Sequence, residues 1–328
     1  MKIFKYFAGI VSALVLFSSL PVTAQDNASA NELEDEDIEL LVPIPEPPKS
    51  IERLDERSNY VLEHFWDNFG FKNAFSARKR FDKTLGTFFS VTPYATADTV
   101  HMVIDRLIKG IEKARPQNLL DLAEAAERWV HGDNAEYSSD ELYYPFLEAV
   151  VRNKKAKGPL RARFEAQYRQ LQNSRVGANV GDFSFKRPDG ATMTLAEVST
   201  PHILLMFVDP DCPDCLLAKA RLNADFVIES LVKNQIIGIV PVYPGEATDE
   251  KWLHSATTMP EEWIAGANPE ADLLFEIPQT PTIYYIHNDG SGPVVKSKNA
   301  SVDGILDAFH SLIQNTSAPN QSQPSNNQ

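Results

Sequence analysis

Cys212 and Cys215 are the only cysteines in the 328-residue chain, and two residues separate them in "FVDPDCPDCLLAKARL" (Phe207–Leu222). Thiols at this spacing suit three kinds of chemistry: a structural bridge, half of a metal site, or a dithiol that opens and closes a disulfide. A bridge over so short a loop constrains the unfolded chain weakly, by about 2 kcal/mol at most. Structural zinc takes about four ligands. No second cysteine pair exists, and His64, His101, His131, His202, His254, His287 and His310 are scattered without ligand spacing. Redox chemistry is therefore the strongest of the three readings. Cys212 follows an apolar run and opens a predicted helix, whose unpaired N–H groups and dipole favour a thiolate there. Pro213 suits the first helical position. Cys215, one turn further on and on the same side, is spaced to attack a mixed disulfide at Cys212. The expected division is an exposed nucleophile, Cys212, and a more buried resolving thiol, Cys215.

The elements that must position this pair read clearly from about Val176 onward. "HILLMFV" and "IIGIVPVY" are near-continuous apolar runs suited to central strands covered on both faces. "DFSFKRPDGATMTLAEV" alternates around Pro188-Asp189-Gly190 as a hairpin does. "CLLAKARL" and "NADFVIESLVKNQ" are helical, followed later by "TIYYIHN", a turn at Asp289-Gly290, "PVVKSK" and a last helix, "SVDGILDAFHSLIQ". This order predicts an α/β domain over 175–314, a mixed central sheet with helices on both faces. From 51 to 174 the rhythm is helical instead. "NYVLEHFWDNF", "DTVHMVIDRLIKGIEKA", "NLLDLAEAAERWV", "DELYYPFLEAVV" and "LRARFEAQYRQLQ" repeat apolar residues at three- and four-residue steps. Gly132, Pro159 and a start signal at Ser138-Ser139-Asp140 punctuate them, giving an all-α bundle of five or six helices.

The flanks carry other information. Lys2 and Lys5, the apolar run "FAGIVSALVLFSSL" and a small-residue site ending at Ala24 have the pattern of a secretory signal peptide over 1–24. The run is short for a membrane span, so an exported protein, periplasmic and without a stable membrane anchor, is expected. Residues 25–50 are acidic, then proline-rich, and read as an extended linker with no core of its own. The polar tail 315–328 reads as unstructured. Net charge is −14, and −16 once Lys2 and Lys5 are removed. That balance argues against nucleic acid, whose phosphates demand clustered Lys and Arg.

A strand, Cys-x-x-Cys at a helix start, a second apolar strand and then "TPTIYYI" resemble the thioredoxin fold. With the preceding hairpin "GDFSFKRPDGATMTLAEV", the stretch from Val176 to Ile313 looks like the TlpA/ResA-type thiol-disulfide oxidoreductases. The helical half, with "NYVLEHFWDNFGF", is similar to an uncharacterised N-terminal domain joined to such modules in Bacteroides-type bacteria. The resemblance implies that Cys212 and Cys215 are the redox pair and that Pro281, in Thr280-Pro281-Thr282, is a cis-proline facing it. Thr280 beside that proline is then a substrate-backbone partner, because an N–H left free next to proline can pair with an extended chain. No dissociable cofactor and no metal are implied, since the dithiol itself cycles. The implied partners are protein thiol or disulfide substrates and a redox partner that resets the pair.

Three positions depart from the family pattern. Met206 stands where thioredoxins carry a buried acid, Ala218 where some ResA-type proteins carry a glutamate, and Asp211 where an aromatic residue is common. The proton acceptor for Cys215 is thereby open, with Asp209, Asp211 and Asp214 as candidates. Solvated turn and first-turn helix roles suit them equally. Their negative charge opposes a thiolate at Cys212, which leans the pair toward a reductase or isomerase rather than a primary oxidant. Aromatic residues Tyr143, Tyr144, Phe146, Trp252 and Trp263 are expected in packing, and His202 at the surface. Two rival functions stand beside this one: a partner-binding protein with a non-catalytic or regulatory thioredoxin-like domain, and a metal chaperone using both thiols.

Overall fold

The computed structural model describes residues 38–132 and 134–317, and the described residues from Leu40 onward form one compact unit. Residues 1–24, expected to be a signal peptide, the start of the expected linker and residues 318–328 lie outside the described residues. Six α-helices come first: α1 (Leu54–Phe65), α2 (Arg78–Val91), α3 (Ala97–Ala114), α4 (Asn118–Val130), α5 (Asp140–Arg152) and α6 (Arg161–Ser174). The apolar spacing explains their packing. Helix α3, for example, turns Val100, Val103, Ile104, Leu107, Ile108 and Ile111 inward as one stripe. Ser139 caps α5 by accepting the Leu142 N–H at 3.3 Å, as the start signal anticipates. Tyr143 and Phe146 are buried in this core and Tyr144 packs on it, so they are packing residues.

Two expectations about the flanks need correction. The linker 25–50 does bury something: Val42 lies in the helical core, and Leu41 N–H donates to Thr84 Oγ1 at 2.9 Å. Three consecutive aliphatic residues, Leu40 to Val42, precede the prolines and provide enough apolar surface to dock on α2. At the other end, the last helix continues to Ser317, three residues into the stretch expected to be unstructured.

The C-terminal half runs β1 (Ser184–Lys186), β2 (Thr192–Thr194), β3 (His202–Phe207), α7 (Pro213–Ala224), α8 (Phe226–Lys233), β4 (Ile237–Tyr243), α9 (Glu250–Thr257), β5 (Gly266–Ala267), α10 (Ala271–Leu274), β6 (Thr282–Asn288), β7 (Pro293–Ser297) and α11 (Val302–Ser317). One seven-stranded mixed sheet has the order β2-β1-β5-β4-β3-β6-β7. Strand β3 is an interior strand, parallel to β4 and antiparallel to β6. Alternation along β3 splits its side chains between two cores. Ile203, Leu205 and Phe207 join Phe183, Phe275 and Tyr284 on one face; Leu204 and Met206 join Cys215, Leu222, Ile228 and Phe309 on the other. The second face is the one covered by α7, α8 and α11.

His202 is not the surface residue expected. It opens β3 half-buried, its Nδ1 2.8 Å from the Tyr285 hydroxyl, with burial first and His287 second holding its pKa below the ordinary histidine value. Its register partner is His287 of β6, so the pairing that builds the sheet also covers the ring.

Helix α6 links the two halves. Gln170 Nε2 donates to the Asp272 carbonyl at 2.7 Å, Asn173 Nδ2 to the Leu274 carbonyl at 3.1 Å, and Ser174 Oγ accepts the Glu276 N–H at 2.7 Å. All three bonds hold the stretch that leads into Thr280 and Pro281. Among the described residues, no helix is long and apolar enough to cross a membrane.

Candidate redox site

The chain leaves β3 at Phe207 and must turn sharply before α7. Asp209 makes the turn: its carboxylate accepts the Asp211 N–H at 2.8 Å and its carbonyl accepts the Cys212 N–H at 3.3 Å. Cys212 is then the N-cap residue of α7, in extended backbone (φ −88°, ψ 112°), with Pro213 at the first helical position. Its Sγ accepts the Cys215 N–H at 3.1 Å, the position a capping oxygen normally fills. A backbone N–H aimed at sulfur, at the positive end of a helix, favours negative charge on that sulfur.

Cys212 and Cys215 are joined by a disulfide with Cα atoms 5.2 Å apart. Cys215 is fully buried and Cys212 only partly so, in the order the spacing predicts. From the opposite side, the Thr280 carbonyl oxygen approaches Cys212 Sγ to 3.2 Å, and the Thr280–Pro281 peptide is cis. The strand pairing explains the approach, because Thr282 of β6 lies opposite Phe207 of β3 and brings the preceding turn beside α7. Among the described residues, nothing accepts the Thr280 N–H. The four residues singled out from the sequence, Cys212, Cys215, Thr280 and Pro281, thus meet at one place.

The aspartates do something else. Asp211 is ion-paired with Lys251 of α9, and both side chains are exposed. That bond raises the Lys251 pKa above its ordinary value. Asp209 shapes the turn, and Asp214 is an exposed first-turn residue of α7. Among the described residues, none of these three carboxylates hydrogen-bonds either sulfur.

Beneath the disulfide the packing is apolar. Met206 and Ala218, at the places of the family's acids, lie in the same buried cluster as Cys215, with the fully buried Trp252 and with Trp263. Tyr243 stacks on Trp252 at 5.6 Å between ring centroids. Burial first, then the charges of Asp249, Asp209 and Asp211, push the Tyr243 phenol above its ordinary value.

Two features of α7 went unread in the sequence. Lys219 is buried, 8% exposed, with its Nζ 3.1 Å from Ser255 Oγ of α9, while Leu216 and Leu217 are 56% and 59% exposed. The only available signal was spacing, since 215, 218, 219 and 222 form one helical face once Cys215 is required to be inside. Among the described residues, no three of His, Cys, Asp and Glu gather as a metal site.

Residues 21–174 match a family model described as a domain of unknown function, DUF5106. The structure is similar to that of a thioredoxin-like protein from Bacteroides caccae, with a TM-score of 0.60 and 20% identity over 82% of this chain and 97% of that one. The C-terminal half has the thioredoxin-like fold. Shorter similarities include a conserved protein of unknown function from Bacteroides fragilis (27% identity, 42% of this chain, 99% of that one, TM-score 0.38). Another is a thiol-disulfide oxidoreductase from the same species (15% identity, 41% and 98%, TM-score 0.35). No curated protein matches the chain. The protein therefore joins a DUF5106-matching helical region to a thioredoxin-like module that holds a Cys-x-x-Cys disulfide.

Proposed function

We propose that the protein is an exported thiol-disulfide oxidoreductase acting on protein substrates, with the reductive direction favoured. The observation that carries this reading is the arrangement at Cys212. Its sulfur caps a helix, receives a backbone N–H, and faces Thr280 next to Pro281, with Cys215 buried directly behind it. In the reductive direction the Cys212 thiolate attacks one sulfur of a substrate disulfide, and the other substrate sulfur leaves as a thiolate. Cys215, deprotonated, then attacks Cys212 Sγ. The mixed disulfide breaks, the second substrate thiolate departs with the electron pair, and the Cys212–Cys215 disulfide forms. Two electrons pass to the substrate, so an external dithiol donor must reset the pair. The chemistry calls for no dissociable cofactor.

The surroundings support a polypeptide substrate. The unpaired Thr280 N–H suits an extended backbone, and exposed Leu216 and Leu217 offer apolar surface beside the pair. The basic and apolar N-terminal segment supports export, most simply to a periplasm. Asp209 and Asp214 oppose a Cys212 thiolate, which disfavours the reduced form and makes the pair a better reductant.

The test is turnover and capture with the full chain. Wild-type protein supplied with dithiothreitol should accelerate insulin disulfide reduction, and Cys212→Ser should abolish the acceleration. Cys215→Ala should retain substrate as a mixed disulfide on Cys212, identifiable by mass spectrometry. Equal insulin reduction by wild type and Cys212→Ser would overturn the reading. A reduction potential as oxidising as that of DsbA-type proteins would overturn the reductive direction alone.

A further inference from the structure

The resolving step needs a base. Cys215 must lose its proton before it can attack, and the thiol is buried among apolar groups that disfavour the thiolate. Neither Met206 nor Ala218 beside it can take a proton, and the three nearby aspartates are engaged in the turn, in the ion pair to Lys251, or at the exposed helix start.

One ionisable side chain lies on the buried side. Lys219, 8% exposed, is the only charged residue among the described residues that is buried. It follows Cys215 by four positions in the same helix, and the two share the inward face with Ala218 and Leu222. Residues four apart have Cβ atoms about 6 Å from one another. Helical side chains also lean toward the N-terminus, the direction in which Cys215 lies from Lys219. Its Nζ is anchored to Ser255 Oγ, one turn along α9 from Lys251 and adjacent in the helix to the Trp252 turn that packs with Cys215. No carboxylate among the described residues pairs with it. On α7 the titratable group sharing its inward face is Cys215, α9 contributes the Ser255 hydroxyl, and no other charged group shifts the Lys219 pKa beside its burial.

We propose that Lys219 is the proton acceptor for Cys215, the role the missing family acids leave open. This rests on the thiol-exchange reading above for its purpose, though not for its test. The neutral amine takes the proton from the Cys215 thiol and becomes an ammonium. The thiolate attacks Cys212 Sγ, the bond from Cys212 to the substrate breaks, and the substrate leaves as a thiolate with the electron pair. The ammonium then returns its proton to that thiolate or to water. Burial holds the Lys219 pKa below the ordinary lysine value, so the neutral form is more accessible than for a surface lysine. Holding a lysine in the core costs stability, and a long apolar side chain would fit the site without that cost.

The deciding measurement is the titration of Cys215 itself. In the Cys212→Ser protein Cys215 is the sole thiol, and its thiolate is followed by absorbance at 240 nm against pH, with and without Lys219→Met. The midpoint should rise by about one pH unit, tenfold in proton affinity, when the lysine is removed. Coincident midpoints overturn the proposal. Lys219→Gln provides a second substitution, and thermal melting should show both variants folded, with Lys219→Met at least as stable as wild type. A kinetic readout separates this inference from the function it serves. Reduced protein mixed with 5,5′-dithiobis(2-nitrobenzoate) should release one thiolate as Cys212 attacks and a second as Cys215 resolves. Lys219→Met should slow the second phase by about 100-fold near neutral pH while leaving the first within about twofold. Absence of the first phase in wild type would refute thiol exchange, and the titration would still decide the role of Lys219.

Discussion

At the scale of single residues, the electrostatics of Cys212 are a balance between a helix start and its acidic neighbours. The Cys215 N–H and the α7 dipole stabilise a thiolate; Asp209, Asp211 and Asp214 oppose it. Lys251 shifts that balance, because its ion pair offsets Asp211. Replacing Lys251 by alanine should unmask Asp211 and raise the Cys212 pKa. An exposed pair is strongly screened, so the effect is small: about two- to fivefold less thiolate at neutral pH. The pH dependence of iodoacetamide alkylation of the reduced protein measures it, and added salt should shrink the difference. The cysteines were legible because their types and spacing carry chemistry of their own, and Thr280-Pro281 through the resemblance to the thioredoxin fold. Lys251 and Lys219 were not. A lysine reads as a surface residue until the rotation of its helix is known, and in α7 two leucines face water while a lysine faces the core.

At the scale of elements, both central strands were legible as unbroken apolar runs, since strands covered on both faces show little alternation. The eight-residue α9 and the two-residue β5 were not. Elements this short carry too few periodic positions, and α9 is held from outside its own sequence, by the Lys251 contact to the turn before α7 and the Ser255 contact to α7. Nor does any pattern announce that α6 grips the chain ahead of Pro281. Gln170, Asn173 and Ser174 bond to backbone groups of Asp272, Leu274 and Glu276, and Tyr284 Oη donates to the Glu276 carbonyl at 2.6 Å. These bonds fix where Thr280 stands relative to Cys212. Replacing Gln170 and Asn173 together by alanine should loosen that approach and lower kcat/KM for insulin about threefold to tenfold, chiefly through KM. The alkylation pH profile of Cys212 should stay unchanged, because neither side chain touches the sulfur. An unaltered KM with an altered thiol profile would contradict this division.

At the scale of the whole molecule, the helical half and the thioredoxin-like half share a partly buried charge cluster. Lys298, following β7, bridges Asp140 of α5 and Glu276 at 2.5 and 2.6 Å, and His131 after α4 lies 3.5 Å from Asp140 and 3.3 Å from Glu276. Two residues thus come from each half, and the His131 ring also stacks on Tyr143 at 4.6 Å. Burial by itself would raise the Asp140 pKa, but the bonds and charges of His131 and Lys298 outweigh it and hold the carboxyl below its ordinary value. Burial likewise lowers Lys298, and Glu276 with Asp140 more than offsets it, leaving the ammonium above its ordinary value. A depressed carboxyl contributes stability that is present above its unfolded pKa and lost as pH falls through the folded one. A raised ammonium contributes stability that is present below its unfolded pKa and lost as pH rises through the folded one. Both contributions are complete between about pH 4 and about pH 10. Lys298→Met removes the ammonium shared by two partly buried carboxylates and should cost about 2–3 kcal/mol at pH 7. At about pH 3, closer to the lowered Asp140 pKa, the ion pair weakens and the difference from wild type should narrow. Urea unfolding of wild type and variant at the two pH values measures this directly. An equal loss at both pH values would mean that Lys298 serves the junction through packing rather than charge.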